Sequence, residues 1–198
     1  TSYLPNGTDL SRFVGQVEKM KGRVAWVSSP DRGLIFLLHA WPLIKAAAPE
    51  ANLRIFYGWE NIDKLIRSGH QQLAALKAMI LGEIKGLVDV EWRGRVSQVQ
   101  LAQEIKAAEV WAYPTNFVET SCISGMEAMA GGAIPVPSTL GNIPNVIQDA
   151  GFLIPGHPSS ESYKRRFVGA TVASLTIPEV GERLRAIGKE RVEDFTWE

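Results

Sequence analysis

Apolar positions along the chain fall into two alternating rhythms. Short runs rich in β-branched and aromatic residues occur at 23 to 27 (RVAWV), 53 to 58 (LRIFYG), 88 to 92 (VDVEW), 110 to 114 (VWAYP), 133 to 136 (AIPV) and 152 to 154 (FLI). Several are apolar on nearly every residue, as strands covered on both faces are. Between them the spacing lengthens to that of a helix. Leu34, Leu37, Leu38 and Trp41 fall at i, i+3, i+4 and i+7, one helical stripe. Pro42 then removes a backbone donor and predicts a kink or an early end. Leu73, Leu76, Ile80, Ile84 and Leu87 make a second stripe. Ser97 and Gln100 form a capping box ahead of Leu101 and Ile105. Gly131 and Gly132 are expected to close a further helix, because glycine accepts the left-handed cap conformation.

Strand and helix in alternation imply right-handed crossovers and a mostly parallel, doubly wound sheet in a Rossmann-like α/β/α sandwich. Ligands of such sheets sit outside the carboxyl ends of the strands. Three segments fall there: SSPDRG after the first strand, RGRVSQ after the third and TNFVETSCIS after the fourth.

Composition narrows the class. At 198 residues the chain is expected to form a single domain, long enough to bury roughly 70% of its unfolded surface. Lysine plus arginine equals aspartate plus glutamate, 21 each, so no strong field draws it to nucleic acid. Lys164-Arg165-Arg166 reads as a solvated helix face. The single cysteine, Cys122, excludes an internal disulfide and fits a reducing compartment. The apolar run at residues 33 to 38 falls far short of the ~20 residues of a membrane span. No signal peptide is visible in TSYLPNGTDL, and a cytoplasmic location is expected, with the membrane surface also open to a full-length protein. His39, His70 and His157 are scattered without zinc spacing, so no metal site is expected.

The stretch FVETSCISGMEAMAGG, residues 117 to 132, places Glu119 and Glu127 eight positions apart. On a continuous helix that offset turns a side chain by about 80° and lifts it about 12 Å. Two acids so spaced can reach opposite ends of one elongated, hydroxyl-rich ligand. Ser124 with Glu127 also matches a capping box, so Glu127 has a purely structural reading beside the ligand one.

The run from Tyr113-Pro114 through Glu119, Glu127, Ala128 to Gly132, Ile134-Pro135-Val136 and Gly141-Asn142-Ile143-Pro144 resembles the donor-site signature of retaining glycosyltransferases of the GT-B fold. PNGTDLSRF (5 to 13) resembles the junction between that fold's two Rossmann-like domains, and FTWE (195 to 198) the start of the crossover back, within 190 to 198. The resemblance covers the whole chain and implies the C-terminal, donor-binding half of such an enzyme, without the N-terminal acceptor domain. The expected donor is a UDP-, GDP- or ADP-linked sugar, with no cofactor and no metal. The acceptor is unidentified and would bind through the other domain, so this half alone is expected to bind nucleotide without transferring sugar.

The resemblance also distributes roles. Glu127 would accept from the ribose hydroxyls, both of its oxygens suiting a vicinal diol. Glu119 would contact the transferred sugar and favour the oxocarbenium-like character of glycosyl transfer. Thr120, Ser121, Cys122 and Ile123 stand where relatives carry G-F-G-L, with helix N-terminal amides aimed at the diphosphate. Arg32, before Gly33, takes the place of the phosphate-gripping lysine, and the family's preceding glycine-arginine pair is Ser28-Ser29 here. Arg95 and Val96 match the loop that frames the base. A non-catalytic nucleotide-sugar-binding module, or a related epimerase or phosphorylase, remains an alternative.

Overall fold

A computed structural model describes residues 6–196; Pro5 of the PNGTDLSRF motif and Trp197-Glu198 of the FTWE motif lie outside the described residues. Five strands form one parallel sheet: β1 (Arg23–Trp26), β2 (Asn52–Phe56), β3 (Val90–Gly94), β4 (Val110–Tyr113) and β5 (Ile134–Pro137), in the order β3-β2-β1-β4-β5. Every residue of β1, β4 and β5 is buried, which is why those runs are apolar throughout. Edge strand β3 alternates in exposure instead.

The helices α1 (Leu34–Ala47), α2 (Glu60–Arg67), α3 (Gln72–Gly86), α4 (Gln98–Ala107), α5 (Ile123–Ala130), α6 (Ile143–Ile147), α7 (Glu161–Thr176) and α8 (Pro178–Arg191) complete the sandwich. Helix α1 packs on α3 and α7, and α5 on α4 and α8. Leu34, Leu37, Leu38, Trp41 and Ile44 are the buried stripe of α1. On α3 only Ile80 is fully buried, with Leu76 and Ile84 packed against the core more loosely. The Ser97–Gln100 capping box forms at the start of α4. Gly131 caps α5 in right-handed conformation, and Gly132 takes the left-handed turn with φ 69°.

Two expectations need correction. Pro42 does not bring an early end to α1, which runs on to Ala47. Its ring lies on the exposed side, while Trp41 and Ile44 anchor the helix on either side of it. The sixth strand does not form. Residues 152 to 154 run beside β5, and the amides of Phe152 and Ile154 donate to the carbonyls of Pro135 and Pro137, each at 2.9 Å, yet only the isolated bridge Ser138–Ile154 results. The amides of Ile134 and Ser138 point the other way, to Glu109 and Tyr113 before and at the end of β4. A ladder on the outer side would need donors at 135 and 137, and both are proline.

Candidate functional site

The strand order reverses between β1 and β4, and the loops leaving their carboxyl ends part to make a crevice there. A cleft of about 520 Å³ occupies it, walled by residues that follow β1, β2, β3 and β4. Nine of the ten residues singled out from the sequence line this cleft: Arg32, Arg95, Val96, Glu119, Thr120, Ser121, Cys122, Ile123 and Glu127. Gly33 does not. With φ 112° it joins the short turn Pro30–Arg32 to α1, and a Cβ there would come within 2.5 Å of the Pro114 carbonyl oxygen. Its job is the close passage of two cleft loops.

Behind the cleft residues Ser28 and Glu119 lies an aromatic cluster. Tyr113 lies 4.9 Å from Trp111 and 5.2 Å from Trp26, centroid to centroid, all three buried. The Trp26 indole donates to the Ser28 carbonyl at 2.6 Å, and the Ser28 hydroxyl donates to the Tyr113 hydroxyl at 3.3 Å. Tyr113 in turn donates to Oε1 of Glu119. Burial, and then the bond to Glu119, push the Tyr113 phenol above its ordinary range, so it stays a donor at any neutral pH.

Glu119 is only 7% exposed, so its carboxylate is held inside the cleft wall rather than free in solvent. Arg32 donates to its Oε1 at 3.0 Å and lies 4.1 Å over the Phe117 ring. Burial pulls the Arg32 guanidinium down, but Glu119 and Tyr113 outweigh it and hold the group above its usual value. The one cation expected for phosphate is therefore already shared with a carboxylate.

Helix α5 starts at Cys122, which adopts the left-handed φ of 49° and provides no side-chain cap. The backbone thus keeps a glycine-like turn where the resemblance puts glycine, and the first-turn amides of α5 are free of a capping side chain at the cleft wall. Burial, then the charge of Glu119, push the Cys122 thiol up to about 12, so it is protonated and no nucleophile near neutrality.

Ser124 lies inside α5 and not at its cap, so the Ser124–Glu127 capping box is absent. The Glu127 carboxylate instead accepts from Arg12 at 2.8 Å, and Arg12 also donates to Gln98 at 2.6 Å. Asn6 donates to the Ser121 hydroxyl at 2.8 Å. The amide of Thr8 donates to the Phe195 carbonyl at 2.8 Å, which brings the PNGTDLSRF and FTWE motifs side by side.

Sequence reasoning missed Arg12, for which no spacing gave a signal. It also missed Tyr57, Gly58 and Asn61, which follow β2 and line the cleft. The carboxyl-end rule could have found those three, had it been applied to the second strand as to the others. The DVE run (89 to 91) lies at the amino end of β3, where Asp89 pairs with Lys45 at 2.5 Å, away from the cleft. Among the described residues no helix is long and apolar enough to cross a membrane.

Over 200 residues the chain is 26% identical to the alpha-maltose-1-phosphate synthase of Mycolicibacterium smegmatis, covering 96% of this chain and 46% of that protein. It is also 26% identical over 207 residues to the phosphatidyl-myo-inositol mannosyltransferase of Mycobacterium tuberculosis, covering 98% and 50%. The chain thus spans about half the length of the curated relatives it matches. Sucrose-phosphate synthase from Thermosynechococcus elongatus shares the fold with a TM-score of 0.72 at 21% identity, over 98% of this chain and 48% of that one. Anabaena HepE in complex with UDP and glucose does so with a TM-score of 0.65 at 17% identity, over 96% and 53%. Their fold is the GT-B fold. The family model for glycosyl transferases group 1 matches residues 20–167, and with three quarters of its length inside that match the chain belongs to the glycosyl transferases group 1 family.

Proposed function

We propose that this chain binds the nucleoside diphosphate sugar donor of a retaining glycosyltransferase, in the cleft at the carboxyl ends of β1 to β4. The observation that carries this reading is the convergence of Arg32, Glu119, the α5 amino end and Glu127 on one crevice at the sheet's switch point. Glu127 accepts from the ribose hydroxyls, with Arg12 holding its carboxylate in place at 2.8 Å. The α5 amides and Arg32 take the diphosphate, stabilising the charge that grows on the leaving oxygen. Glu119, fixed by Tyr113 and Arg32, faces the sugar. Its negative charge favours the cationic character of the anomeric carbon at the transition state. Base contacts come from the Gly94 to Val96 backbone. The acceptor, and the proximity that makes transfer fast, belong to the remainder of a full-length enzyme.

A second reading, a binding module without transfer, is favoured by the Arg32–Glu119 pair, because the cation proposed for phosphate is engaged by a carboxylate. Calorimetry with UDP, GDP and ADP, and with the matching nucleosides, tests the first reading. Arg32→Ala is expected to weaken the diphosphates more than the nucleosides, because its partner is phosphate. Absence of binding by all three diphosphates refutes donor binding. Equal losses for diphosphate and nucleoside remove Arg32 from the phosphate site.

A further inference from the structure

A second hollow lies at the opposite end of the sheet and shares no lining residue with the donor cleft. It measures about 560 Å³ and sits between residues 13–19, the ends of α4 and α5, and α8. Four cations line it, Lys19, Lys106, Arg185 and Lys189, and no carboxylate does, in a chain whose formal net charge is zero.

Two of these cations are partly spent on backbone. Lys19 donates to the carbonyls of Ala108 at 2.7 Å and Gly131 at 3.0 Å, which leaves one of its three N–H bonds. Lys106 donates to the Val14 carbonyl at 2.9 Å. The other two are poorly matched. Among the described residues Arg185 has only Glu109 as an ion-pair partner, at 3.8 Å, and the other oxygen of Glu109 takes the Gly22 amide at 2.7 Å. The Nε of Arg185 is buried with no acceptor among the described residues, a condition proteins rarely tolerate. Lys189 has no ion pair among the described residues. Burial, and next the charge of Arg185, with Lys189 adding to them and Glu109 opposing, bring the Lys19 amine down to about 7. The like charges of Lys19, Arg185 and Lys189 are thus crowded at one hollow, with Glu109 opposing them.

We propose that this hollow binds a phosphate monoester, carried by a soluble metabolite or by a lipid headgroup, through Lys19, Arg185 and Lys189. The free N–H of Lys19 approaches from the segment before β1, and Arg185 and Lys189 from successive turns of α8. A tetrahedral dianion offers acceptors in several directions at once, which a planar carboxylate does not. Its charge also favours the protonated form of Lys19 and provides an acceptor for the orphaned Nε.

The test is a titration of the isotope-labelled chain with inorganic phosphate, followed by NMR. Saturable shifts at the amides of Lys19, Gly131, Gly132 and Lys189 are expected, together with a rise of the Lys19 amine midpoint from about 7. The double variant Arg185→Gln/Lys189→Gln should weaken phosphate by about tenfold while remaining folded. Arg183→Gln, exposed on the same helix, should not change it. Shifts confined to the Arg32 cleft, no saturation, or equal losses in the double variant and Arg183→Gln overturn the proposal. Sedimentation with phosphatidylcholine vesicles, with and without phosphatidic acid, separates the sources: capture only by the acidic vesicles assigns a headgroup. Saturation by phosphate without capture assigns a soluble metabolite.

Discussion

The position of Glu119 depends on a residue that bears no functional group. Gly141 has φ 61°, and a Cβ placed on it would fall 2.1 Å from the Glu119 carbonyl oxygen and 2.7 Å from its nitrogen. In Gly141→Ala the left-handed conformation alone costs about 1 kcal/mol. Carbon and oxygen rest at roughly 3.3 Å or more even in close C–H···O contact, so one backbone has to retreat by about 1 Å. Both contacts are to main chain, so no side-chain rotation relieves them. The same retreat breaks the bond from the Asn142 amide to the Glu119 carbonyl, now 2.7 Å, worth about another 1 kcal/mol. The total is about 2–3 kcal/mol, and at about 2–4 °C per kcal/mol for a chain of this length the melting temperature should fall by about 4–12 °C. Gly15→Ala is the control, with φ 81° and nothing within 4 Å of the added carbon. It carries the conformational cost alone and should fall by about 2–4 °C. Scanning calorimetry on both variants decides the matter. If Gly141→Ala loses no more than Gly15→Ala, the loop yields freely and Glu119 is not held by close packing.

Glu127→Ala should weaken nucleoside diphosphate binding by about 1–3 kcal/mol and lower stability slightly by leaving Arg12 without its carboxylate; unchanged affinity by calorimetry would return Glu127 to a structural role. Pro137→Val restores an N–H on the outer edge of β5, facing the Phe152 carbonyl, and hydrogen exchange should show a protected amide at 137; rapid exchange there would mean that geometry, not the missing donor, prevents the sixth strand. Lys19 titrates near 7 when folded and near 10.5 when unfolded, so the unfolded chain holds more protons between those values and stability rises with pH across that window. In phosphate-free buffer the unfolding free energy of the wild type should therefore gain on that of Lys19→Met between pH 7 and 10, and parallel profiles would show that the amine is not depressed by Arg185, Lys189 and its burial.

The apolar rhythm carried most of the fold, because buried parallel strands and one-sided helices leave different periods in a sequence. It failed where hydrogen bonding rather than hydrophobicity decides. Phe152, Leu153 and Ile154 read as a strand, and they lie where a strand would, but the ladder is refused by prolines in a neighbour seventeen residues earlier. The early end expected at Pro42 erred in the other direction, since packing of Trp41 and Ile44 outweighs one absent donor. At the cleft, motif residues announced themselves through spacing and strand ends. Their partners did not. Arg12 reaches Glu127 across 115 positions and Arg32 reaches Glu119 across 87, and pairings of that range leave no local trace in one sequence.

The two prolines of β5 also bear on life outside the native state. An open sheet offers two borders on which another extended chain can template itself, the first step toward aggregates. Along β5 the outward carbonyls of Pro135 and Pro137 are already taken by the amides of Phe152 and Ile154, and the two prolines offer no donors, so an invading strand finds neither carbonyl nor amide to pair with at those positions. Along β3 the border carries the exposed, paired charges of Glu91 and Arg93 at 2.7 Å, which an incoming apolar segment would have to strip of water. The sheet is thus closed at one side by missing chemistry and at the other by charge, and copies emerging together from synthesis are steered away from joining edge to edge.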